Sequence, residues 1–293
     1  MVKMTEIFEV SRSGYYDWLE RPDSARKVKN NEVLSKIKDV HKAHPMYGLD
    51  AIWSEVREIT PCCRGRIYRL TKCENIHSER KKKWKSTTNS KHKLPIAENL
   101  LLRERTEVER IDPKTGKRRE KHERTFTFAS PNMAWVGDIT YNWTDEGWLY
   151  TAIVKDLCTK DVVGFSMSDR IDRHLVISAM EMAIKREHPP KGLIFHSDRG
   201  SQYCSEDYRN LLKTHGIRQS MSRPGNPYDN AVAENFFNNL KCECTNFCHF
   251  KTRNEARLTI FQYIEIEYNR NRRHSALGRV TPAVFKRKFL MAA

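Results

Sequence analysis

The stretch WVGDITYNWTDEGWLYTAIVKDLCTKDVVGFSMS, residues 135–168, decides the fold. It is rich in β-branched and aromatic residues, which cluster at 135–143, 148–157 and 162–168, and short polar segments separate the three runs. This pattern predicts three consecutive strands joined by turns.

The segments after this stretch alternate between helical and extended patterns. Apolar spacing predicts helices at 175–186 and 206–215, short strands at 192–196 and 217–221, and a long helical region at 229–242 and 254–269. Three strands followed by helices and two shorter strands predict an α/β fold, in which helices flank a five-stranded mixed sheet.

The amino-terminal part is predicted to be helical. Apolar residues recur with helical spacing at 5–20, 31–43, 50–58 and 64–71, Ser11 and Ser13 are candidate caps, and residues 45–48 end the second helix. Short helices with basic residues among them predict a DNA-binding region of the helix-turn-helix type over 1–78. The alternative is an ordinary helical bundle that does not contact DNA.

Residues 79–130 are predicted to be a basic linker with an inserted hairpin. Residues 104–128 alternate around Pro113 and Gly116, which indicates a β-hairpin that is either a DNA-binding arm or a solvated excursion. The linker either follows a nucleic-acid backbone or is a solvated tether. Its candidate DNA contacts are Arg80, Lys81, Lys82, Lys83 and Lys85.

The charge of the chain favours a polyanionic partner such as DNA. The formal net charge is +16, from 53 Lys and Arg against 37 Asp and Glu. Residues 1–130 hold 30 basic against 19 acidic residues, and residues 131–293 hold 23 against 18. The first part is therefore expected to make the stronger electrostatic contact, although basic charge can also serve solubility alone.

The eight cysteines are expected to be free thiols. The sequence shows no apolar run of the length that spans a membrane, and no signal-like segment at residues 1–10. A cytoplasmic protein in a reducing compartment follows as an expectation. The cluster of Cys242, Cys244, Cys248 and His249 lacks the ligand spacing of a zinc site.

Three carboxylates stand where an α/β fold binds ligands. Asp138 lies in the first strand, Asp198 follows the strand at 192–196, and Glu234 lies in the helix after a Pro- and Gly-containing loop. Phosphodiester cleavage by two divalent ions needs carboxylates to hold those ions. We therefore predict that this triad binds two Mg²⁺ or Mn²⁺ ions. The spacing of these residues alone is a weak signal. Three other carboxylates compete for the metal-binding role, namely Asp156, Asp207 and Asp229, and Asp156 can instead pair with nearby cations.

The helix that carries Glu234 presents a polar stripe. Positions 230, 234, 238 and 241 fall on one helical face, so Asn230, Glu234, Asn238 and Lys241 are presented together, with Asp229 as the expected cap. A solvent-facing stripe would have the same pattern.

Several segments resemble bacterial insertion-sequence transposases of family three, in the OrfB-type subunit. The three blocks are WVGDITY at 135–141, HSDRGSQY at 196–203, and DNAVAENFF at 229–237 with Leu240 and Lys241. YNRNRRH at 268–274, Leu277-Gly278 and Thr281-Pro282 resemble the end motif of that family. SRSGYYDW at 11–18, Tyr47-Gly48 and AENL at 97–100 also fit, so the resemblance covers nearly the whole chain.

The resemblance implies an RNase H-like catalytic core over 131–250, as in retroviral integrases, with a helical extension over 251–293. It implies Asp138, Asp198 and Glu234 as the metal-binding triad and places Lys241 near the scissile phosphate. We expect Asn230 and Arg223 to contact DNA as well. The implied chemistry is hydrolysis at an element end, followed by attack of the new 3′-hydroxyl on another phosphodiester, with no covalent protein–DNA intermediate.

The implied partners are terminal inverted repeats, target DNA and further copies of the chain. An upstream OrfA-type subunit, or a frameshift fusion with it, is also expected in this family, and the protein would act at the nucleoid in the bacterial cytoplasm. Two alternatives remain at this stage. One is a DNA-binding protein that keeps the fold without cutting, and the other is a nuclease that does not join strands.

Overall fold

The computed structural model describes residues 11–79, 94–101, 107–111, 118–122, 128–223 and 230–292. The chain separates into two compact units, residues 1–80 and 81–293. The division into 1–78, 79–130, 131–250 and 251–293 stays a prediction. Within the described ranges, no helix has the length and apolar character needed to cross a bilayer.

The first unit is helical. Its helices are α1 Arg12–Glu20, α2 Ala25–Ala43, α3 Leu49–Ile59 and α4 Arg64–Cys73. Five buried aliphatic residues form its core: Val33, Ile37, Ile52, Val56 and Ile67. The four predicted helices are confirmed within the described residues, although positions 5–10 of the first lie outside them, and α2 begins earlier than expected. Ser24 caps it by accepting a bond from the Lys27 N–H at 3.3 Å, and its first turns are exposed, so they carry no apolar periodicity.

The strands of the second unit confirm the predicted sheet. They are β1 Glu107–Ile111, β2 Arg118–His122, β3 Ala134–Thr144, β4 Gly147–Asp156, β5 Val162–Ser168, β6 Ile194–Ser197 and β7 Arg218–Met221. β1 and β2 pair antiparallel, as the predicted hairpin requires, and its turn lies outside the described residues. The other five form one mixed sheet in the order β5-β4-β3-β6-β7, with β3–β6 and β6–β7 parallel.

Helices cover both faces of this sheet. They are α5 Arg173–Glu187, α6 Glu206–Thr214, α7 Ala231–Glu243, α8 Arg253–Gln262 and α9 Pro282–Ala292. Neighbouring residues of β4 point to opposite faces. Val154 packs in the apolar cluster that includes α5 and α6, and Ile153 packs in the cluster that includes α7 and α8. The result is a three-layer α/β/α arrangement.

One glycine permits the close packing of β5 against α5. A Cβ added at Gly164 would lie 2.2 Å from the Ala179 carbonyl oxygen and 2.8 Å from the Ala183 Cβ. Those atoms belong to the helix backbone and to a short side chain, so they cannot turn aside. The strand and the helix can therefore approach this closely only with glycine at position 164.

The predicted helix at 254–269 is interrupted by a wider helical form. After α8, residues Tyr263–Asn271 form a π-helix, in which the hydrogen bonds run from i to i+5. Its buried residues are accordingly five apart, as with Tyr263 and Tyr268. The Asn269 side chain bonds both backbone groups of Val162 in β5, at 3.0 and 3.1 Å. Packing against the sheet therefore selects a helix that apolar spacing alone did not indicate.

Candidate active site

Asp138 lies near the middle of β3, where the neighbouring strand stops. Val136 pairs with His196 in the parallel strand β6. Asp138 and Asp198 each lie two residues beyond this pair, so they fall side by side where β6 ends, between inner strands of the sheet. Asp138 is half-buried, and its Oδ1 accepts a bond from the Ile139 N–H at 2.9 Å. The strand geometry therefore fixes the position of this carboxylate.

Asp198 is held by the turn that follows β6. Its Oδ1 accepts a bond from the Gly200 N–H at 3.0 Å. A Cβ at Gly200 would come within 3.0 Å of the Gln202 side chain and 3.1 Å of the Asp198 carboxylate. A side chain at position 200 would therefore push against the candidate ligand.

A buried histidine ties the ends of β6 and β7 together. The His196 ring lies between two hydroxyls, with Nδ1 2.8 Å from the Ser220 Oγ and Nε2 3.0 Å from the Ser222 Oγ. The Arg199 Nε donates to the Ser222 carbonyl at 2.7 Å. This network was not predicted from the sequence, because each of its bonds joins residues more than twenty positions apart. Its only local signal is a polar ring inside an apolar strand.

Helix α7 brings Glu234 and Lys241 to the same region. Its apolar face, which includes Phe236 and Leu240, is buried in the core. Glu234 and Asn238 are exposed and Lys241 is half-buried, so these three members of the predicted stripe lie away from the core.

Asn230 departs from the predicted stripe. It is only 5% exposed, and its Nδ2 donates to the Gly137 carbonyl at 3.4 Å. It also occupies the N-cap position that was predicted for Asp229, which lies outside the described residues. A buried amide bonded to the strand has little surface for DNA. This bond holds α7 against β3, and the expected contact of Asn230 with DNA stays a prediction.

The charged groups of the site shift one another's pKa values. Burial raises the pKa of Asp138 well above its usual range, and the negative charge of Asp198 raises it further. The Ile139 N–H and the Lys241 ammonium oppose this rise, whereas Glu234 adds to it. These effects require the groups to lie within range of each other's fields.

The partners of Asp138 show matching shifts. Burial and then the charge of Asp198 raise the pKa of Glu234. Burial lowers the pKa of Lys241, and the charge of Asp138 partly offsets that change. The three predicted carboxylates and the predicted lysine therefore lie close enough to act on one another electrostatically.

As a donor set, the three carboxylates suit a hard divalent cation such as Mg²⁺. A cation between them would remove the repulsion that raises the pKa values of Asp138 and Glu234. Across the ranges given above, however, no three His, Cys, Asp or Glu side chains already converge as metal ligands. Binding of a cation would therefore require the three side chains to move closer together.

The competing carboxylates have other partners. Asp156 is buried and accepts bonds from the N–H groups of Asn132, Cys158 and Thr159 at 2.7 to 2.8 Å. This carboxylate organises the turn after β4, and its charge also opposes the lowering of the Lys160 pKa by burial, in line with the expected interaction of Asp156 with a nearby cation. Asp207 pairs with Arg173 at 2.8 Å.

The remaining predicted DNA contacts are less fully described. Arg223 is exposed at the last described position before residue 230. The basic run Arg80, Lys81, Lys82, Lys83 and Lys85 lies outside the described residues.

Known proteins share this core. Two family models, both described as integrase core domain, match residues 129–227 and 215–282. Among solved structures, the HTLV-2 integrase catalytic core domain in complex with magnesium (trimeric form) aligns with a TM-score of 0.43 at 17% identity, covering 54% of this chain and 98% of that one. The catalytic core domain of BIV integrase aligns with a TM-score of 0.40 at 21% identity, covering 55% and 95%. The two family models identify the fold of residues 129–282 as that of an integrase core domain.

Two relatives match along almost their entire length. The chain is 41% identical over 288 residues to the insertion element IS600 uncharacterized 31 kDa protein of Shigella sonnei, covering 98% of both. It is 37% identical over 294 residues to transposase InsF for insertion sequence IS3A of Escherichia coli K12, covering 98% of this chain and 94% of that one. The chain belongs to the IS3 family of insertion-sequence transposases, so its function at this level is DNA transposition.

Proposed function

We propose that this chain is a DDE transposase, which cuts DNA at the ends of an insertion sequence and joins the freed 3′-hydroxyl to target DNA. The observation that carries the proposal is the electrostatic group formed by Asp138, Asp198 and Glu234, with Lys241 beside it. A basic protein that gathers acidic side chains beside the end of β6 is suited to hold cations against a phosphate backbone.

Each residue has a distinct part in the proposed reaction. Asp138, Asp198 and Glu234 would hold two Mg²⁺ or Mn²⁺ ions, which supply activation of the attacking oxygen and stabilisation of the leaving oxygen. The N–H groups of Ile139 and Gly200 fix the two aspartates before substrate arrives. Lys241 would bind a phosphate oxygen near the scissile bond and so hold the backbone in place.

We further propose how the chain contacts its partners. The first unit and the basic run at 80–85 would bind the terminal inverted repeats, and Arg223 would contact DNA beside the site. Copies of the chain would assemble on the two element ends, alone or with an OrfA-type subunit.

The test compares two aspartate substitutions in the full chain. Duplexes that carry the terminal inverted repeats are incubated with Mg²⁺, and nicked and joined products are separated on denaturing gels. Asp198→Asn should abolish both products while leaving DNA affinity nearly unchanged. The control is Asp207→Asn, which removes an exposed carboxylate paired with Arg173 and should retain both products.

Three other outcomes would contradict the proposal. Normal cleavage by Asp198→Asn would show that the triad is wrongly assigned. Cleavage without joining by the parent chain would indicate a nuclease. Binding with neither product would indicate a DNA-binding protein that has lost catalysis.

A further inference from the structure

A group of aromatic side chains lies at the end of the β3–β4 hairpin. Trp143 pairs with Trp148 across the two strands, and their ring centroids are 4.8 Å apart at 76°. The ring of Tyr141 meets that of Trp148 at 4.9 Å and 89°. Trp143 is 56% exposed. These three residues are called here the aromatic ladder; Tyr141 and Trp148 are half-buried, and Trp143 is the ring that water reaches most.

The aromatic ladder adjoins the candidate active site. Tyr141 lies three residues beyond Asp138 on the same strand, and the Lys241 Nζ is 5.0 Å from the centre of its ring. The same ammonium group acts on the pKa of Asp138. Along β3, at a rise of about 3.3 Å per residue, Tyr141 lies roughly 10 Å and Trp143 roughly 17 Å beyond Asp138. Both are an odd number of residues from Asp138, so their side chains leave the opposite face of the strand. β6 pairs with β3 only as far as Val136, and Lys241 meets Tyr141 along the stretch of β3 beyond that point.

Cations flank the aromatic ladder at both ends. Lys241 is at the Tyr141 end, and the Arg253 Nε donates to the Trp148 carbonyl at 3.1 Å near the other end. The two acids of the turn already have partners. Asp145 lies 3.1 Å from the His249 Nε2, and Glu146 accepts a bond from the Arg253 N–H at 2.8 Å. Rings between cations match a nucleic-acid strand, whose bases alternate with phosphates.

Cross-strand packing explains only part of this arrangement. Aromatic pairs stabilise hairpins, and the contacts of Trp148 fit that purpose. Such pairing does not require Trp143 to leave over half of its surface exposed to water. A second copy of the chain could cover that surface, but the flanking cations and the nearby carboxylates favour a nucleic acid.

We propose that the aromatic ladder stacks an unpaired nucleobase of the DNA strand whose backbone lies in the active site, with Lys241 and Arg253 on the flanking phosphates. This inference rests on the proposed function. Because duplex DNA rises about 3.4 Å per nucleotide, the stacked base lies roughly 3 to 5 nucleotides from the scissile phosphate. Stacking lowers the cost of unpairing the element end there.

The first experiment measures stacking without chemistry. 2-Aminopurine is placed singly at each of the first six positions from the cleavage point, and the full chain is added in Ca²⁺. Fluorescence should be quenched at one or two positions in the parent chain and in Trp143→Tyr, which keeps a ring. Trp143→Ala should lose this quenching and bind DNA about ten-fold more weakly. The control is Phe261→Ala, which removes another exposed aromatic ring and should change neither result.

The second experiment separates stacking from a merely structural role. In Mg²⁺, Trp143→Ala should cleave fully paired ends about ten-fold more slowly than the parent. A mismatch at the quenched position should restore most of that rate, because the strand is then already unpaired. A structural defect would slow cleavage of paired and mismatched ends alike, and that result would overturn the proposal.

Two more results would overturn the inference. If no quenching depends on Trp143 while Asp198→Asn still abolishes cleavage, the aromatic ladder does not bind a base and the proposed function stands. If Trp143→Ala instead converts a dimer into a monomer in light scattering, with quenching unchanged, the surface is a contact between copies. Failure of the proposed function is seen separately, as cleavage by Asp198→Asn.

Discussion

The buried ion pair at the end of α7 leads to a quantitative prediction. Arg272 donates to both carboxylate oxygens of Glu243 at 2.8 to 3.0 Å, and the Glu243 side chain is 8% exposed. The Tyr263 hydroxyl donates to the same carboxylate at 2.7 Å. Glu243 ends the helix that carries Glu234 and Lys241, so this pair anchors the catalytic helix to the carboxyl-terminal segment.

Arg272→Ala leaves a buried carboxylate without its cation. Breaking a buried pair from one side costs about 3–5 kcal/mol, and because the Tyr263 hydroxyl remains we expect a loss near 3 kcal/mol. The double variant Glu243→Leu with Arg272→Met removes both charges at similar volume. It should lose only about 1 kcal/mol, because no charge remains buried and only the Tyr263 hydroxyl loses its acceptor.

Urea unfolding followed by tryptophan fluorescence gives these free energies, provided that the denaturant slope stays constant between variants. Arg173→Ala is the control, since its pair with Asp207 is exposed and should contribute below about 1 kcal/mol. The reasoning fails if Arg272→Ala costs less than about 1 kcal/mol, or if the double variant is as unstable as the single one.

Three further predictions test other parts of the molecule. Burial and nearby cations lower the pKa of His274 to about 3. Between pH 6.5 and about 3 the His274 ring is protonated in the unfolded chain but not in the folded one. Folding stability therefore falls as the pH is lowered, by up to about 1.4 kcal/mol per pH unit, and His274→Gln should reduce that slope in urea titrations at several pH values. Gly164→Ala should lower the unfolding free energy by about 3 kcal/mol, because the new Cβ meets helix backbone. The control is Gly65→Ala in α4, where nothing lies within 4 Å and alanine favours the helix, so stability should not fall; thermal melts would show both. The logarithm of the DNA affinity should fall linearly with the logarithm of the salt concentration, with a slope of about −0.9 per phosphate contacted. Arg69 lines a basic cleft between α2 and α4, and Arg69→Ala should reduce the magnitude of that slope by about 1. Binding that does not depend on salt would contradict this.

The sheet was predictable because its strands carry their own signal. Residues 135–168 combine β-branched and aromatic residues with short turns, and β3, β4 and β5 form where that pattern indicates. The first turns of α2 were missed, since exposed residues have no apolar periodicity. The π-helix was missed because its bonds to β5 join Val162 to Asn269, which are far apart in sequence.

The candidate site was predictable in its members but not in its geometry. Strand ends, together with the resemblance to transposases, indicated Asp138, Asp198 and Glu234. Helical spacing placed Asn230 on the same face, but spacing does not report that its amide turns inward to the Gly137 carbonyl. The role of His196 depends on hydroxyls in another strand. Such partners are set by tertiary packing, which no local pattern records.

The π-helix makes one part of the chain more sensitive to its length than to its composition. Removing a single residue between 263 and 271 would let the backbone return to the ordinary α-helical repeat. Every side chain beyond the deletion would then rotate about the axis, and the Asn269 amide would leave the edge of β5. Exchanges of exposed residues in this segment should therefore be tolerated, whereas a one-codon deletion would uncouple the carboxyl-terminal segment from the sheet.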